Sequence, residues 1–224
     1  MDPKEIVRSG YHKVSQAYRP DALDPNDPAV VQYAKWLSEL MPAMPARSAI
    51  LDLGCGNGIP AAKLLADEGF AVTGVDISAV QIARARLVLP TASLICADMM
   101  AVDFPAEIFA ATISFYAMIH LPLAEQLPLL ANVHRWLQPG GYFLATVGAE
   151  AWTGMEDNWL GVPNARMYWS QADAATYRTW CVDLGFIVLW TRFVPEGSSG
   201  HTLLLAQKPP ETDAMTRSPA LEGE

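Results

Sequence analysis

Cysteine is scarce in this chain. Cys55, Cys96 and Cys181 stand far apart along 224 residues. Their spacing matches no zinc or iron–sulfur ligand pattern, and the odd count argues against a disulfide framework. Radical chemistry that needs clustered cysteines is excluded on the same ground. Positive charge is also thin. Fifteen Lys and Arg against 24 Asp and Glu leave a net charge of −9, and no stretch gathers the basic residues. Nucleic-acid binders usually carry a basic face that neutralises phosphates, so no nucleic-acid partner is expected. No apolar run is long enough to span a bilayer, which argues against a membrane partner. The first residues, MDPKEIVRSGYHK, lack the apolar centre of a signal peptide. A cytoplasmic protein is the expectation. Internal repeats and low-complexity tracts are also missing.

What the chain does have is apolar content: 51% of residues, with 17% charged. That is enough to fill a sizeable core at a length near the upper range for one domain. Pro3 to Arg19 reads as a helix stopped by Pro20, and Ala29 to Met41 as an amphipathic helix. Strands and helices alternate from Ala49 onward. Strands are predicted at 49–53, 71–75, 92–96, 110–116, 142–147, 186–193 and 202–206, with helices between them. Gln138 to Gly141 reads as a tight turn. Gly148 to Trp169 has no clean period, and Ser170 is expected to cap a helix running to about Leu184. The partition is 1–45 for N-terminal helices, 46–208 for the main domain with an insertion at 148–169, and 209–224 for a frayed, disordered tail. Such alternation predicts an α/β, doubly wound, mostly parallel sheet.

The most informative stretch is Ile50-Leu51-Asp52-Leu53-Gly54-Cys55-Gly56-Asn57-Gly58. An apolar strand runs into Gly-x-Gly-x-Gly ahead of a helix, so the backbone can turn sharply and approach a ligand. A dinucleotide loop has G-x-G-x-x-G and seats pyrophosphate on the helix N-terminus. Here the third glycine comes one residue early. Asp52 would also repel a pyrophosphate but suits a cationic amino group. Asp76 closes the next strand, 20 residues after Gly56, where an acid accepts bonds from ribose hydroxyls. Asp98, followed by Met99, closes the strand after that. It can meet an adenine amino group while Met99 packs the ring. Each acid alone could be a turn or cap residue. Three at successive strand ends make that plainer reading improbable.

DLGCGNG, GVDIS, CADM and WLQPGGYFLAT together resemble the motifs of class I, Rossmann-like S-adenosylmethionine-dependent methyltransferases of the small-molecule type. The resemblance is close over residues 48–147. It implies seven strands in the order 3-2-1-4-5-7-6 with the last antiparallel, and S-adenosylmethionine as cofactor. It places Asp52 and Gly54, Cys55, Gly56, Asn57 and Gly58 along the methionine end. Asp76 falls on the ribose, Ile77 and Met99 on either face of the adenine, and Asp98 on its amino group. Tyr11 and Tyr18, in a helix resembling the N-terminal helix of these enzymes, would close over the cofactor, with Tyr116 beside them.

Ligands in such sheets sit beyond the carboxyl ends of the strands. The N-terminal helix, the residues after strand four, the 148–169 insertion and the Pro195–His201 turn should converge there. Trp152, Trp159, Tyr168 and Trp169 are substrate-binding candidates, able to stack on a flat or cationic acceptor as a lid. The competing reading is that they pack the insertion. His120 is the first candidate for a base, because imidazole titrates near neutral pH; Tyr168 and His201 are weaker ones. Strand four runs into Ser114-Phe115-Tyr116-Ala117 rather than Asn-Pro-Pro-Tyr, which argues against adenine-N6 and glutamine methylation. Strands four and five end without the carboxylates of a catechol-type site, so no metal is expected. The expected activity is methyl transfer to a small molecule. Two alternatives remain: a cofactor-binding protein of this fold with another reaction, and a non-catalytic binding module.

Overall fold

The computed structural model describes residues 2–211. The expected tail falls, from residue 212 on, outside the described residues. Fifteen regular elements follow one another. They are α1 (Pro3–Tyr18), α2 (Pro28–Ser38), β1 (Ala49–Leu53), α3 (Ala61–Asp67), β2 (Ala71–Asp76), α4 (Ala79–Val88), β3 (Ser93–Cys96) and β4 (Phe109–Ser114). After them come α5 (Leu123–Trp136), β5 (Leu137–Gly148), β6 (Trp152–Asp157), β7 (Arg166–Gln171), α6 (Ala174–Asp183), β8 (Ile187–Glu196) and β9 (Ser199–Gln207). Seven strands form one sheet in the order β3-β2-β1-β4-β5-β9-β8. The pairs from β3 to β5 are parallel, and β9 runs antiparallel to both neighbours. With β6 and β7 set aside, this is the expected order. The parallel strands β1 and β4 are buried along nearly their whole length, as a sheet covered on both faces requires.

The sheet has a core on each face. One holds Ile50, Ala62, Leu65, Ile113 and Leu144, and takes in Tyr33, Trp36 and Leu37 of α2. The second α-helix therefore belongs to the body of the domain. The other core packs Leu129, Leu130 and Val133 of α5 and Tyr177 of α6 under Leu51, Leu53 and Phe143.

The insertion differs from its reading. Trp152–Gln171 is a two-stranded antiparallel ribbon, β6 against β7, with a short 3-10 turn at Trp159–Gly161. Its strand character was hidden because β6 is largely exposed and carries no apolar alternation. Ser170 caps nothing. It lies buried in β7 with its hydroxyl 3.0 Å from that of Thr153, and α6 is capped by Asp173, which accepts from the Thr176 N–H at 2.8 Å. Helix α2 ends at Ser38; Met41–Ala43 is a 3-10 turn, where Pro42 cannot continue the α-helix. Gln138–Gly141 lies within β5, beside a register shift against β4. The Pro195–His201 turn shrinks to the two residues between β8 and β9.

Helix α1 lies across the carboxyl edge of the sheet. Asp2 caps it, and Ile6, Val7 and Val14 are buried. Burying three such side chains stabilises its docking by several kcal/mol, at about 1.5–3 each. Its C-terminal end is tied to α4. The Arg84 guanidinium donates to the Ser15 and Arg19 carbonyls and to Asp21, and Ser15 Oγ donates to Gln81 at 2.9 Å. Removing residues 1–19 therefore strips partners from buried groups, so point substitutions are the cleaner probe of this helix. Gly10 lies tight against the ribbon, where an added Cβ would lie 2.2 Å from the Arg166 carbonyl oxygen. Gly10→Val should push α1 off β7. The expected result is a loss of about 1–3 kcal/mol in stability and faster proteolysis near the N-terminus. A melting curve and cleavage pattern like those of the unmodified chain would show that α1 yields without detaching.

Candidate functional site

The glycine loop leaves β1 with Gly54, Gly56 and Gly58 at φ of 82°, 54° and 85°. Side chains rarely adopt that region. At Gly54 a Cβ would also fall 2.1 Å from that of Ala117. The loop borders a cavity at the carboxyl edge, whose walls include Asp76, Ile77, Asp98, Met99, Tyr116 and His120, with Tyr11 and Tyr18 from α1. A second, adjoining cavity reaches Asp52, Asn57 and Arg19. The residues of three successive strand ends thus meet as expected.

The acids differ in their partners. The Asp76 carboxylate accepts the Gly56 N–H at 2.9 Å and the Ser78 N–H at 2.8 Å. Burial nevertheless pushes it up to about 6 against those bonds. Asp52 is 3% exposed and accepts no hydrogen bond from the described residues. Burial, then the charge of Asp76, push it up to about 8. A buried carboxylate without a partner is costly unless a cation comes to it. Arg19 lies on the same cavity wall. Its guanidinium sits 5.0 Å from the Tyr18 ring centre and 5.6 Å from that of Tyr33, with one bond of 3.4 Å to the Tyr33 hydroxyl. Most of its five donors are unspent. An acid needing a cation and a cation with spare donors face one space, which fits the zwitterionic end of an amino acid.

At the other end, Asp98 accepts the Met100 N–H at 2.9 Å and Lys4 Nζ at 2.6 Å. Lys4 also pairs with Glu125 at 2.5 Å. Burial opposes the charge on Lys4, and the two carboxylates outweigh it, so its pKa is raised. Helix α1 is thereby pinned to the Asp98 end of the cavity. Two loop residues turn inward. Cys55 packs beneath Gly74, and burial drives its thiol far above the ordinary range. Asn57 is spent on structure, donating to the Pro20 carbonyl at 2.8 Å and accepting the Ile59 N–H.

His120 lies on a 3-10 turn after β4 and is 4% exposed. Its Nδ1 is 2.7 Å from the Tyr168 carbonyl oxygen, which can only accept, so Nδ1 carries the proton. That leaves the Nε2 lone pair for the Tyr11 hydroxyl, 3.0 Å away. Burial pushes His120 down to about 4, the carbonyl bond opposes it, and His201 adds to the lowering. Burial also raises the Tyr11 phenol well above its usual value. The imidazole is thus a neutral, oriented acceptor coupled to a hydroxyl in the cavity.

A third cavity opens beyond Tyr11, Tyr18 and Tyr116 and is walled by Trp159, Trp169, Glu196 and His201. Trp159 is buried against Tyr11, Tyr18 and Trp169, and Trp169 lies 4.3 Å from His120 between ring centres. Tyr168 supplies its carbonyl to His120, and its side chain packs in the cluster under α1. Trp152 is half exposed and stands on the outer groove that continues past Trp169. Tyr116 has φ of 54°, unusual for an aromatic residue, and its N–H is held by Thr146 Oγ1. Strain of this kind concentrates at functional sites.

A family profile described as a methyltransferase domain matches residues 50–141. These residues span the glycine loop and all three acids. Over these residues the chain resembles the S-adenosylmethionine-dependent methyltransferases. Among curated relatives, a sterol 24-C-methyltransferase of Gibberella zeae is 30% identical over 123 residues, 52% of this chain and 32% of that one. A 2-methyl-6-phytyl-1,4-hydroquinone methyltransferase of Synechocystis is 36% identical over 101 residues, 44% of this chain and 31% of that one. The chain spans about a third of the length of these curated relatives. A [4+2]-cyclase has the same fold, with a TM-score of 0.72 at 19% identity over 94% of this chain and 98% of that one. A magnesium protoporphyrin IX methyltransferase from Synechocystis, solved with bound S-adenosylmethionine, gives 0.67 at 18% over 93% and 98%.

Sequence reasoning missed Arg19, Lys4 and the pairing of Tyr11 with His120. The N-terminal helix carried only one signal for them, its polar and aromatic residues beside an apolar stripe.

Proposed function

We propose that this chain transfers a methyl group from S-adenosylmethionine to a small-molecule acceptor. The observation that carries the reading is the unpartnered, buried Asp52 facing Arg19, with Asp76 on the adjoining strand and Tyr11–His120 at the same opening. Asp52 would take the cofactor's ammonium and Arg19 its carboxylate. Asp76 would take the ribose hydroxyls, and Ile77 and Met99 the faces of the adenine. Bound there, S-adenosylmethionine supplies a methyl carbon made electrophilic by its sulfonium. The chain's own contribution is to align an acceptor, exclude water with α1 and the ribbon, and receive a proton. Tyr11 hydroxyl and His120 Nε2 form the route for that proton, with Nδ1–H held on the Tyr168 carbonyl.

Calorimetry with S-adenosylhomocysteine and with NAD tests the cofactor reading; binding of NAD alone would overturn it. A second reading rests on the fold shared with a [4+2]-cyclase over 94% of the chain: cofactor binding with a different reaction. Turnover of methyl-labelled cofactor across a metabolite panel separates the two.

The affinity for S-adenosylhomocysteine should depend on pH. Without ligand, Asp52 is held protonated up to about 8. The ammonium pairs with the ionised form, so binding releases a proton throughout the window below that value. Affinity should tighten as pH rises from 6 to 8, by at most about tenfold per unit. Asp52→Asn should remove the slope and weaken binding. The ligand-free chain behaves oppositely. Its folded-state pKa is raised above the unfolded value, so the contribution to stability is full at low pH and is lost as pH rises through about 8. An affinity that does not change between pH 6 and 8 would remove Asp52 from the ammonium.

A further inference from the structure

The methyl-transfer reading leaves the acceptor unspecified, and the cavity beyond Tyr11 and Tyr116 has a chemistry of its own. Rings dominate its walls: Tyr33, Tyr116, Trp159 and Trp169 all line it. Set among them is one carboxylate, Glu196, at the end of β8. The hydroxyl of Tyr116 and the ring of His201 face it, the latter with Nδ1 3.3 Å from Oε2. Burial works against the charge on Glu196, but these two neighbours outweigh it and keep the acid below its usual pKa. Neither neighbour is a permanent cation. Arg19, the one Lys or Arg on this wall among the described residues, is stacked on Tyr18 and Tyr33 and also lines the adjoining cavity that holds Asp52.

The cavity continues past Trp169, Glu196 and His201 into the outer groove along the ribbon. Trp152 stands there with Glu150 and Glu156, and no Lys or Arg lines that groove among the described residues. Along the outer groove an anionic acceptor would meet Glu150, Glu156 and Glu196 with no Lys or Arg to offset them among the described residues, and a neutral one would draw nothing from the Glu196 charge. Aromatic faces around a carboxylate attract an organic cation, because the ring quadrupoles and the acid act on it together.

We propose that the acceptor is an ammonium-bearing small molecule whose cationic group seats against Glu196 among Tyr116, Trp159 and Trp169. The proposal rests on the methyl-transfer reading of the same site. It assigns the anchoring group of the acceptor, and the reacting atom lies nearer the Tyr11 hydroxyl.

The test compares choline with its neutral isostere 3,3-dimethylbutan-1-ol, with benzoate as an anionic probe. Binding is measured by calorimetry or ligand-observed NMR, on the full chain with and without S-adenosylhomocysteine. Choline should bind at least about tenfold tighter than the isostere, and benzoate should not bind. Glu196→Gln, and separately Trp169→Leu, should each bring the choline-to-isostere ratio close to one. Glu196 lies at a hairpin end, and a melting curve verifies that each variant is folded. Equal binding of choline and the isostere to the unmodified chain overturns the inference, and so does tighter binding of benzoate. A choline preference that survives both substitutions also overturns it, because the cation then sits elsewhere. The cofactor titration reads the methyl-transfer proposal separately. Cofactor binding without cation preference defeats this inference alone, and cation preference without cofactor binding defeats only the other.

Discussion

His120→Ala lowers the turnover number about 10²–10⁴-fold, the usual worth of a positioned general base, while the dissociation constant for S-adenosylhomocysteine stays within a factor of about two. This is the expected result if Nε2 receives the acceptor's proton. Tyr11→Phe should cost a similar factor, since it removes the hydroxyl 3.0 Å from Nε2 without emptying the space. The double variant should be little worse than either single one, because both act on a single proton route. The pH dependence sharpens the test. Burial holds His120 neutral down to about 4, so the acid limb of the rate profile should lie near that value and not near 6.5. The base is active above the limb and lost below it. His120→Gln keeps a polar side chain and should be as impaired as alanine. Activity restored by glutamine would reduce His120 to a brace between β7 and α1. Removing the ring leaves the Tyr168 carbonyl without its donor, at about 1–3 kcal/mol. A thermal melt must therefore accompany the kinetics.

Asp76→Ala weakens S-adenosylhomocysteine binding at least about tenfold, and by more than about a hundredfold if both ribose hydroxyl bonds are lost, at about 1.5–3 kcal/mol per charged bond. The same carboxylate holds the Gly56 and Ser78 N–H groups. The substitution therefore loosens the glycine loop and the start of α4 as well. Asp76→Asn separates the effects: its one carbonyl oxygen can still brace the backbone, but it loses the charge that strengthens ribose bonds. Asparagine should recover most of the stability and little of the affinity. An unchanged dissociation constant in the alanine variant would leave Asp76 as a loop brace only.

Some residues were readable because their chemistry is local. Asp52 and the three glycines lie within seven positions of one strand–loop–helix unit, where backbone conformation and ligand approach are decided together. Asp76 and Asp98 were readable because each closes a strand whose apolar run marks it. Alternating strands and helices admit few arrangements, so the sheet order followed from pattern and resemblance together. The ribbon at 152–171 was not readable, because β6 is exposed and β7 is ordered by α1, packed on it from more than 140 positions away. Cys55 and Asn57 carry the right positions in the loop, yet their side chains turn inward for packing and for a bond to Pro20.

Residue order thus specified the glycine-loop half of the candidate site: a loop that must be glycine, acids that end strands, and an excess of negative charge. The other half depends on distant pairs. Tyr11 meets His120 across 109 positions, Lys4 meets Asp98 across 94, and Arg84 meets Ser15 across 69. No period or spacing encodes such pairs, because each depends on how α1 lies across the finished sheet. The lowered pKa of His120 and the raised pKa of Asp52 have the same origin. Both follow from burial, which exists only once the helices have closed over the carboxyl edge and shut out water.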